Sequence, residues 1–546
     1  MPVPRSRQTW TSSRLLLPFP IALLGALVVL VVGTNRGVEP SEGSPIPKIS
    51  VESRAYKGAL RIEMAIPPDA GEIRYTLDGS EPTVESPLYE GSFRIVKTVK
   101  LVARTFRDGS DTSDAARRTY VALHSDVARF HSELPVIVID TFGVKIPRNR
   151  TTVDHPEPYV PSILHVIDRA SDGVARMTAP ASFSGSAGVK ARGSSTRGRE
   201  KASLAVEIQD ARGEDRDVSL CGLPADSDWV LSGPLEYDRA LVRHAFVYEL
   251  SRQMGHYAPR TRFVEVFLNE DGGAVEGPVP EGQDYFGVYV LIEKIKRGKN
   301  RVALEPLRPN DVPPQDVGGG YILKIDRGGP GDTSFIEGGQ RFRYVYPKEQ
   351  YLSEGQAASM RADVRETFRL AKNPNLMNAD SPFAKVFDIG AAIDYHILSE
   401  FTKNPDALIF SVYVHKHRGG KLTLGPVWDY DRSLGVDNDD RAKDPHGWLG
   451  ERPLLWFGGL FRDAEFRKRY VKRWRELRRG VMADNNLLSI IDAMATEIGS
   501  AAARNTERWH EWTRLAPGGW PREIDELKTW VLSRATWFDR AVSTRR

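Results

Sequence analysis

The chain opens on an apolar block and then changes its hydrophobic period twice. From Leu15 to Gly33 no residue is charged, LLGALVVLVV lies at the centre, and Arg5, Arg7 and Arg14 precede it. A stretch of that length, at 1.5 Å per helical residue, just crosses a hydrocarbon core of about 30 Å. Upstream arginines hold the N-terminus in the cytoplasm. Residues 1–35 therefore read as a signal anchor, with a transmembrane helix, or as a cleaved signal peptide, and both place the rest of the chain outside the cytoplasm. Residues 36–50 are rich in Pro, Gly and Ser and read as a linker. Period two then takes over: ALRIEMAI, EIRYTLDGSEPT, SFRIVKTVKLVARTFRDGS and RRTYVAL are short half-buried strands between turn signals, with Asp78-Gly79 marking a tight turn. They predict an antiparallel sandwich over residues 50–122. From Leu134 to about residue 543 β-like runs alternate with helical ones, ending on a helical face of Ile524, Leu527, Val531 and Phe538. The fold class is α+β: a large mixed domain over 134–543, a small all-β sandwich before it, and an N-terminal transmembrane helix.

Composition narrows the classes. Of 546 residues, 40% are hydrophobic and 27% charged, the profile of a chain with a large core. Lys and Arg number 76 against 72 Asp and Glu, so no global charge points to a nucleic-acid partner. The single cysteine, Cys221, excludes an intramolecular disulfide and any CxxC metal or redox site. Phosphate-loop, HExxH and GxSxG signatures are missing.

The candidate chemistry lies in polar residues set in apolar frames. Lys190-Ala191-Arg192 leads into the small-residue turn Gly193-Ser194-Ser195-Thr196, whose amides could cradle a phosphate, and Lys201 opens the next strand. Phe286 to Glu293 ends a buried strand in a carboxylate, and Lys324 sits inside the strand Tyr321 to Asp326. A charge in a core strand needs a partner or a ligand. A helix carrying Asp394-Tyr395-His396 leads to Lys403-Asn404-Pro405-Asp406, and a strand pair around Arg418-Gly419-Gly420 delivers Trp428-Asp429-Tyr430-Asp431. In an extended segment Asp429 and Asp431 point to one side, which suits a hard cation bound through oxygen. Asp406 comes from another loop. One carboxylate to take a hydroxyl proton and another to hold a metal is a kinase requirement, although a paired-carboxylate glycosidase needs similar residues.

Two resemblances follow from these strings. Tyr75-Thr76-Leu77-Asp78-Gly79-Ser80-Glu81-Pro82-Thr83, with Ser86-Pro87-Leu88-Tyr89 and Thr119-Tyr120, resembles the β-sandwich module at the C-terminus of chitobiases and β-hexosaminidases. It implies a spacer or glycan-facing accessory, with Tyr75 and Tyr89 packed in the core or stacking on sugar. Residues 134–543 resemble the CotH kinase family, atypical protein-kinase-like proteins, through six strings in family order: Lys190 to Thr196 with Lys201, Asp228 to Leu231 with Asp238 and Arg243-His244, Tyr285 to Glu293, Gly320 to Lys324, Asn404 to Asp406, and Trp428 to Asp431. That resemblance implies a protein serine/threonine kinase that uses ATP and Mg²⁺ on secreted, coat or envelope proteins. It makes Asp406 the catalytic carboxylate and Asp429 a Mg²⁺ ligand, with Asp431 a second. It makes Arg192, Lys201 and Lys324 contacts for ATP phosphates and Glu293 a partner of one of those cations. It leaves Trp229 and Arg243 structural. Lys403 departs from the Gly that the family often has before Asn404, and Pro405 stiffens that loop. The alternative function is a non-catalytic membrane-anchored surface protein, with a kinase-like scaffold and a polysaccharide-binding β module.

Overall fold

The computed structural model describes residues 45–545, apart from residues 109, 112, 149–157, 194–195, 278–283, 309, 312–317, 330, 374–375, 378–380, 437–439 and 450–454 and the side chains of 110 and 111. The expected N-terminal span and most of the linker lie outside the described residues, as do Ser194 and Ser195 of the expected phosphate cradle. Among the described residues no helix is long and apolar enough to cross a membrane.

The β module forms where the period-two pattern places it, but it is not wholly antiparallel as expected, because Arg54–Lys57 pairs with Ala116–Leu123 in parallel. Strands Arg54–Lys57, Ala116–Leu123, Val99–Arg107 and Glu72–Thr76 lie side by side in that order, and two short strand pairs lie alongside them. Ile62, Ile73, Ile95, Leu101 and Tyr120 fill its core. The Asp78-Gly79 turn is locked by Asp78 Oδ1, which accepts from the amide and the hydroxyl of Ser80 at 2.9 and 2.6 Å, and Gly79 takes a φ of +91° there. Tyr75 stacks on Phe93 at 4.8 Å between ring centres, and the Tyr89 hydroxyl accepts the Met64 amide at 2.9 Å. Both tyrosines pack against the module's core and stay half-exposed. The module is also no free spacer. Ala55, Val121 and Leu123 share a core with Val136, Val138 and Ile163 of the large domain, and residues 44–546 form one compact unit.

The large domain begins as a closed barrel. Strands β1 (Val136–Asp140), β2 (Val160–Ile167), β3 (Phe183–Arg192), β4 (Ser203–Ile208), β5 (Asp228–Ser232), β6 (Thr261–Asn269) and β7 (Tyr285–Glu293) pair in the order β1-β2-β3-β4-β5-β7-β6, and β6 closes the ring by running parallel to β1. All nine residues of β7 are buried, because one face fills the barrel and the other meets helices. Between β5 and β6 runs α1 (Arg243–Gln253).

A second sheet carries the rest. Strands β8 (Tyr321–Ile325), β9 (Ser334–Glu337), β10 (Gln340–Tyr346), β11 (Val412–Lys416) and β12 (Leu422–Leu424) lie in the order β9-β10-β8-β11-β12. Beside it pack α2 (Glu354–Leu370), α3 (Ile389–Thr402), α4 (Ala464–Leu477), α5 (Asp484–Ile498), α6 (Ala501–Arg508) and α7 (Gly519–Ala541). Thirteen of the fourteen residues of α3 are buried, so it runs through the core and carries the Asn404-Asp406 loop on a supported end. Ile524, Leu527, Val531 and Phe538 of α7 are all buried, as their spacing requires.

Candidate active site

Helix α1, strands β3, β4, β5 and β7, the segments after β3, β8 and α3, and the Trp428–Arg432 loop line a cavity of about 140 Å³. Helix α1 contributes His244 and Tyr248, one turn apart on one face. Arg243, at its first turn, anchors the helix: its guanidinium donates to Asp238 Oδ1 at 3.0 Å and to the carbonyls of Ser433 and Leu434 at 3.0 and 3.3 Å. The Trp428–Arg432 loop is thereby tied to α1 just beyond its carboxylates. Trp229 is packed as expected, with its indole N–H on the Asp226 carbonyl at 2.9 Å.

The loop after α3 shows why Lys403 can replace glycine. Lys403 caps the helix in the left-handed region at φ +49°, which glycine occupies without steric cost. Its ammonium offsets the strain by donating to the carbonyls of Asp444 and His446 at 2.8 and 2.7 Å. Asn404 then couples the two acidic loops. Its Nδ2 donates to the Asp429 carbonyl at 2.9 Å while its Oδ1 accepts the Asp406 amide at 3.1 Å. Asp406 Oδ2 meets Arg432 at 3.1 Å.

Asp429 itself sits at φ +67°, and Leu408, Ser411 and Leu434 nearby are also left-handed. Such positions cost on the order of 1–3 kcal/mol each and persist where surrounding contacts over-determine them. Here the Asp429 amide donates to the Tyr248 hydroxyl at 3.2 Å, and Ser411 Oγ donates to its carboxylate at 3.3 Å.

Donor atoms of His244, Asp429 and Asp431 lie within 4.8 Å of one another. Burial pushes the Asp431 carboxyl up to about 6, with the Asp429 charge adding to the effect. Asp326, at the end of β8, is raised by burial and again by Asp429. A hard divalent cation fits this donor set, because it removes the repulsion that the carboxylates otherwise impose on one another. His244 plays another part. Its Nδ1 accepts the Tyr430 amide at 3.1 Å, so the neutral ring carries its proton on Nε2 and has no free lone pair for a metal. Asp429 and Asp431 would hold the cation, with Asp326 beside them.

The sign of a pH effect follows. The folded chain keeps a proton on Asp431 that the unfolded chain releases, so stability falls as pH rises from the ordinary carboxylate range through about 6 and is flat above it. Mg²⁺ should raise the thermal unfolding midpoint more above pH ~7 than at pH ~5. Equal shifts at both would remove the carboxylate pair as the binding site.

Two arginines line the same cavity. Arg192, at the end of β3, lies over the Trp428 ring at 5.0 Å, and Arg327 lies over Phe410 at 4.7 Å. Neither has a carboxylate partner among the described residues, so both forks are available to an anion.

The family model described as CotH kinase protein matches residues 189–538, more than half of the chain. The chain belongs to the CotH kinase family. A second model, chitobiase/beta-hexosaminidase C-terminal domain, matches residues 51–117, so the β module is of that type. No curated protein matches the chain.

Within this CotH domain the expected residues separate into two groups. Asp406, Asp429, Asp431 and Arg192 line one cavity. Lys201 lines a smaller cavity that shares Thr196, Ser203 and Asp431 with the first. Its buried ammonium donates to Asn505 Oδ1 at 2.6 Å and faces the Tyr289 ring at 5.3 Å, and desolvation lowers its proton affinity well below the usual lysine range. Gly287 makes this possible. It takes φ +80°, and a Cβ there would lie 2.5 Å from Asn505 Oδ1.

Two expectations need correction. Glu293 partners none of Arg192, Lys201 and Lys324; it accepts from Arg260 Nε at 2.7 Å, Arg301 Nη1 at 2.6 Å and the Tyr257 hydroxyl at 3.2 Å, behind the cavity. Lys324 is not part of the cavity wall and pairs with Asp332 at 3.3 Å. Alternation along β8 puts Lys324 on the same side as Asp326, whose carboxyl its charge lowers, but the ammonium is drawn to Asp332 instead of the cavity. The residues that sequence reasoning missed are His244, Asp326, Arg327 and Arg432. Two of the four directly adjoin a residue singled out in the sequence, His244 after Arg243 and Arg432 after Asp431, and Asp326 lies two residues past Lys324.

Proposed function

We propose that this CotH family member is an ATP- and Mg²⁺-dependent protein kinase that phosphorylates Ser or Thr of secreted, coat or envelope proteins, anchored by its N-terminal segment with most of the chain outside the cytoplasm. The observation that carries the reading is the single cavity in which Asp406 and the Asp429–Asp431 pair face Arg192 and Arg327. Asp406 takes the proton of the acceptor hydroxyl as its oxygen bonds to the γ-phosphorus and the bond to the β,γ-bridging oxygen breaks, releasing ADP. Arg432 and the Asn404 bond hold that carboxylate in place. The arginine forks bind phosphate oxygens. Mg²⁺ held by Asp429 and Asp431 supplies neutralisation of the nucleotide's charge. Purified protein with Mg²⁺ and γ-labelled ATP should label a generic Ser/Thr acceptor or itself, and Asp406→Asn should slow transfer by roughly 10²–10⁴-fold. Unchanged transfer in that variant would reassign the base.

A further inference from the structure

Helix α4 and the turn after it carry eight Lys or Arg against two Glu between residues 464 and 479. One face of the helix, Phe466, Tyr470, Trp474 and Leu477, is buried against the core. On the outer face Lys468, Lys472 and Arg475 fall at i, i+4 and i+7, a stripe about 10 Å long. That stripe, with Arg467, Arg479 and Arg545, lines a groove of about 550 Å³ with no carboxylate among its described lining residues, although Arg545 itself is paired with Glu400 at 2.7 Å. Val471 on the helix and Val542 in the C-terminal turn give it an apolar component.

An ordinary solvated face does not look like this, and the same chain shows the contrast. On α2 each exposed arginine has a close carboxylate: Arg361 to Glu349 at 3.0 Å, Arg365 to Glu337 at 2.6 Å and Arg369 to Glu366 at 2.5 Å. On α4 the nearest acids to Lys468 and Lys472 are Glu465 and Glu476 at 3.8 and 3.9 Å, and the two lysines keep 80% and 78% of their side-chain exposure. Arg475 and Arg479 have no carboxylate partner among the described residues. Like charges at i, i+4 destabilise a helix by a few tenths of a kcal/mol per pair, so the stripe costs stability that folding alone does not repay.

We propose that this groove docks an acidic, extended polypeptide segment of the protein on which the kinase acts. A concave channel with apolar side chains beside a cationic wall fits a chain better than a flat bilayer. It is separate from the catalytic cavity. Tyr470 on the other face of α4 donates to or accepts from His396 of α3 at 3.0 Å, and no groove residue lines the cavity. The inference rests on the protein-kinase reading for the source of the segment, and on charge alone for its binding.

The test uses full-length protein and a fluorescent peptide rich in Asp and Glu, read by anisotropy without nucleotide. Saturable binding should weaken with added salt and should fall roughly tenfold or more in Lys468→Glu/Lys472→Glu. Asp406→Asn should bind as the native protein does, which separates docking from catalysis. Joining the acidic segment to a Ser/Thr acceptor should lower KM and leave kcat unchanged in native protein, and the charge-reversed protein should show no such gain. Absence of saturable binding, equal binding by Lys468→Glu/Lys472→Glu and again by Lys472→Glu/Arg475→Glu, or tighter binding of phosphatidylglycerol vesicles or a single-stranded oligonucleotide than of the peptide would overturn the proposal.

Discussion

Asp429→Asn should reduce phosphotransfer by about 10³-fold or more while leaving the protein folded. The activity loss follows from the cation site, because the amide removes one of two carboxylates whose donor atoms lie within 4.8 Å of His244 and of each other. The preserved fold follows from the backbone. Asparagine adopts the left-handed region at least as readily as aspartate, so φ +67° is not disturbed. Electrostatics point the same way, since removing the Asp429 charge relieves Asp431 and should return its carboxyl toward the ordinary range. The variant should therefore be as stable as the native protein or more so, and its stability should no longer rise with added Mg²⁺. Thermal unfolding with and without Mg²⁺ beside a transfer assay checks all three outcomes. A variant that transfers phosphate normally, or still responds to Mg²⁺, would place the cation elsewhere.

Arg534→Ala should be among the most destabilising single changes in the chain. The Arg534 side chain is fully buried, and its guanidinium donates to the carbonyls of Glu400, Gly447, Pro445 and Phe401 at 2.6, 2.6, 2.8 and 3.3 Å. It also lies over the Trp537 ring at 4.5 Å. Truncation leaves those carbonyls without their donor in a dry interior, a loss on the order of 3–5 kcal/mol. The same bonds tie the end of α3 to the loop that receives Lys403, so Asp406 should lose its position and activity should fall further than the loss of folded protein explains. Arg534→Lys should recover little, because an ammonium cannot span carbonyls on two sides of the side chain as a planar fork does. Denaturant unfolding of the two variants, with transfer measured per folded molecule, checks the prediction. Near-native stability of Arg534→Ala would mean that other contacts hold the loop.

The two variants also show what could and could not be read along the chain. Asp429 was legible because two carboxylates alternate beside aromatic residues in a strand-like string. Arg534 carries no local signal of its role, because its partners lie some 87 to 134 positions away. Lys201 and Glu293 show the limit more sharply. Both were recognisable as charges in apolar strands that required partners, yet nothing in either string names them. Lys201 found a neutral amide more than three hundred residues downstream, and Glu293 found arginines that border the other side of the barrel.

The chain's division into a β module and a large kinase-like domain, the acidic loops around Asp406 and Asp429, and the helical face of the tail are all legible along the chain. Those are short-range properties, set by period, turn chemistry and the order of motifs. Long-range packing brought the module into one core with the barrel, set Tyr75 and Tyr89 against the module's core, put Arg192 and Arg327 but not Lys324 in the wall of the carboxylate cavity, and left His244 without a free lone pair for a cation. Each of these depends on which distant segment supplies a partner. A local pattern states that a buried charge must be matched, and the closing of the barrel against the second sheet selects the group that matches it.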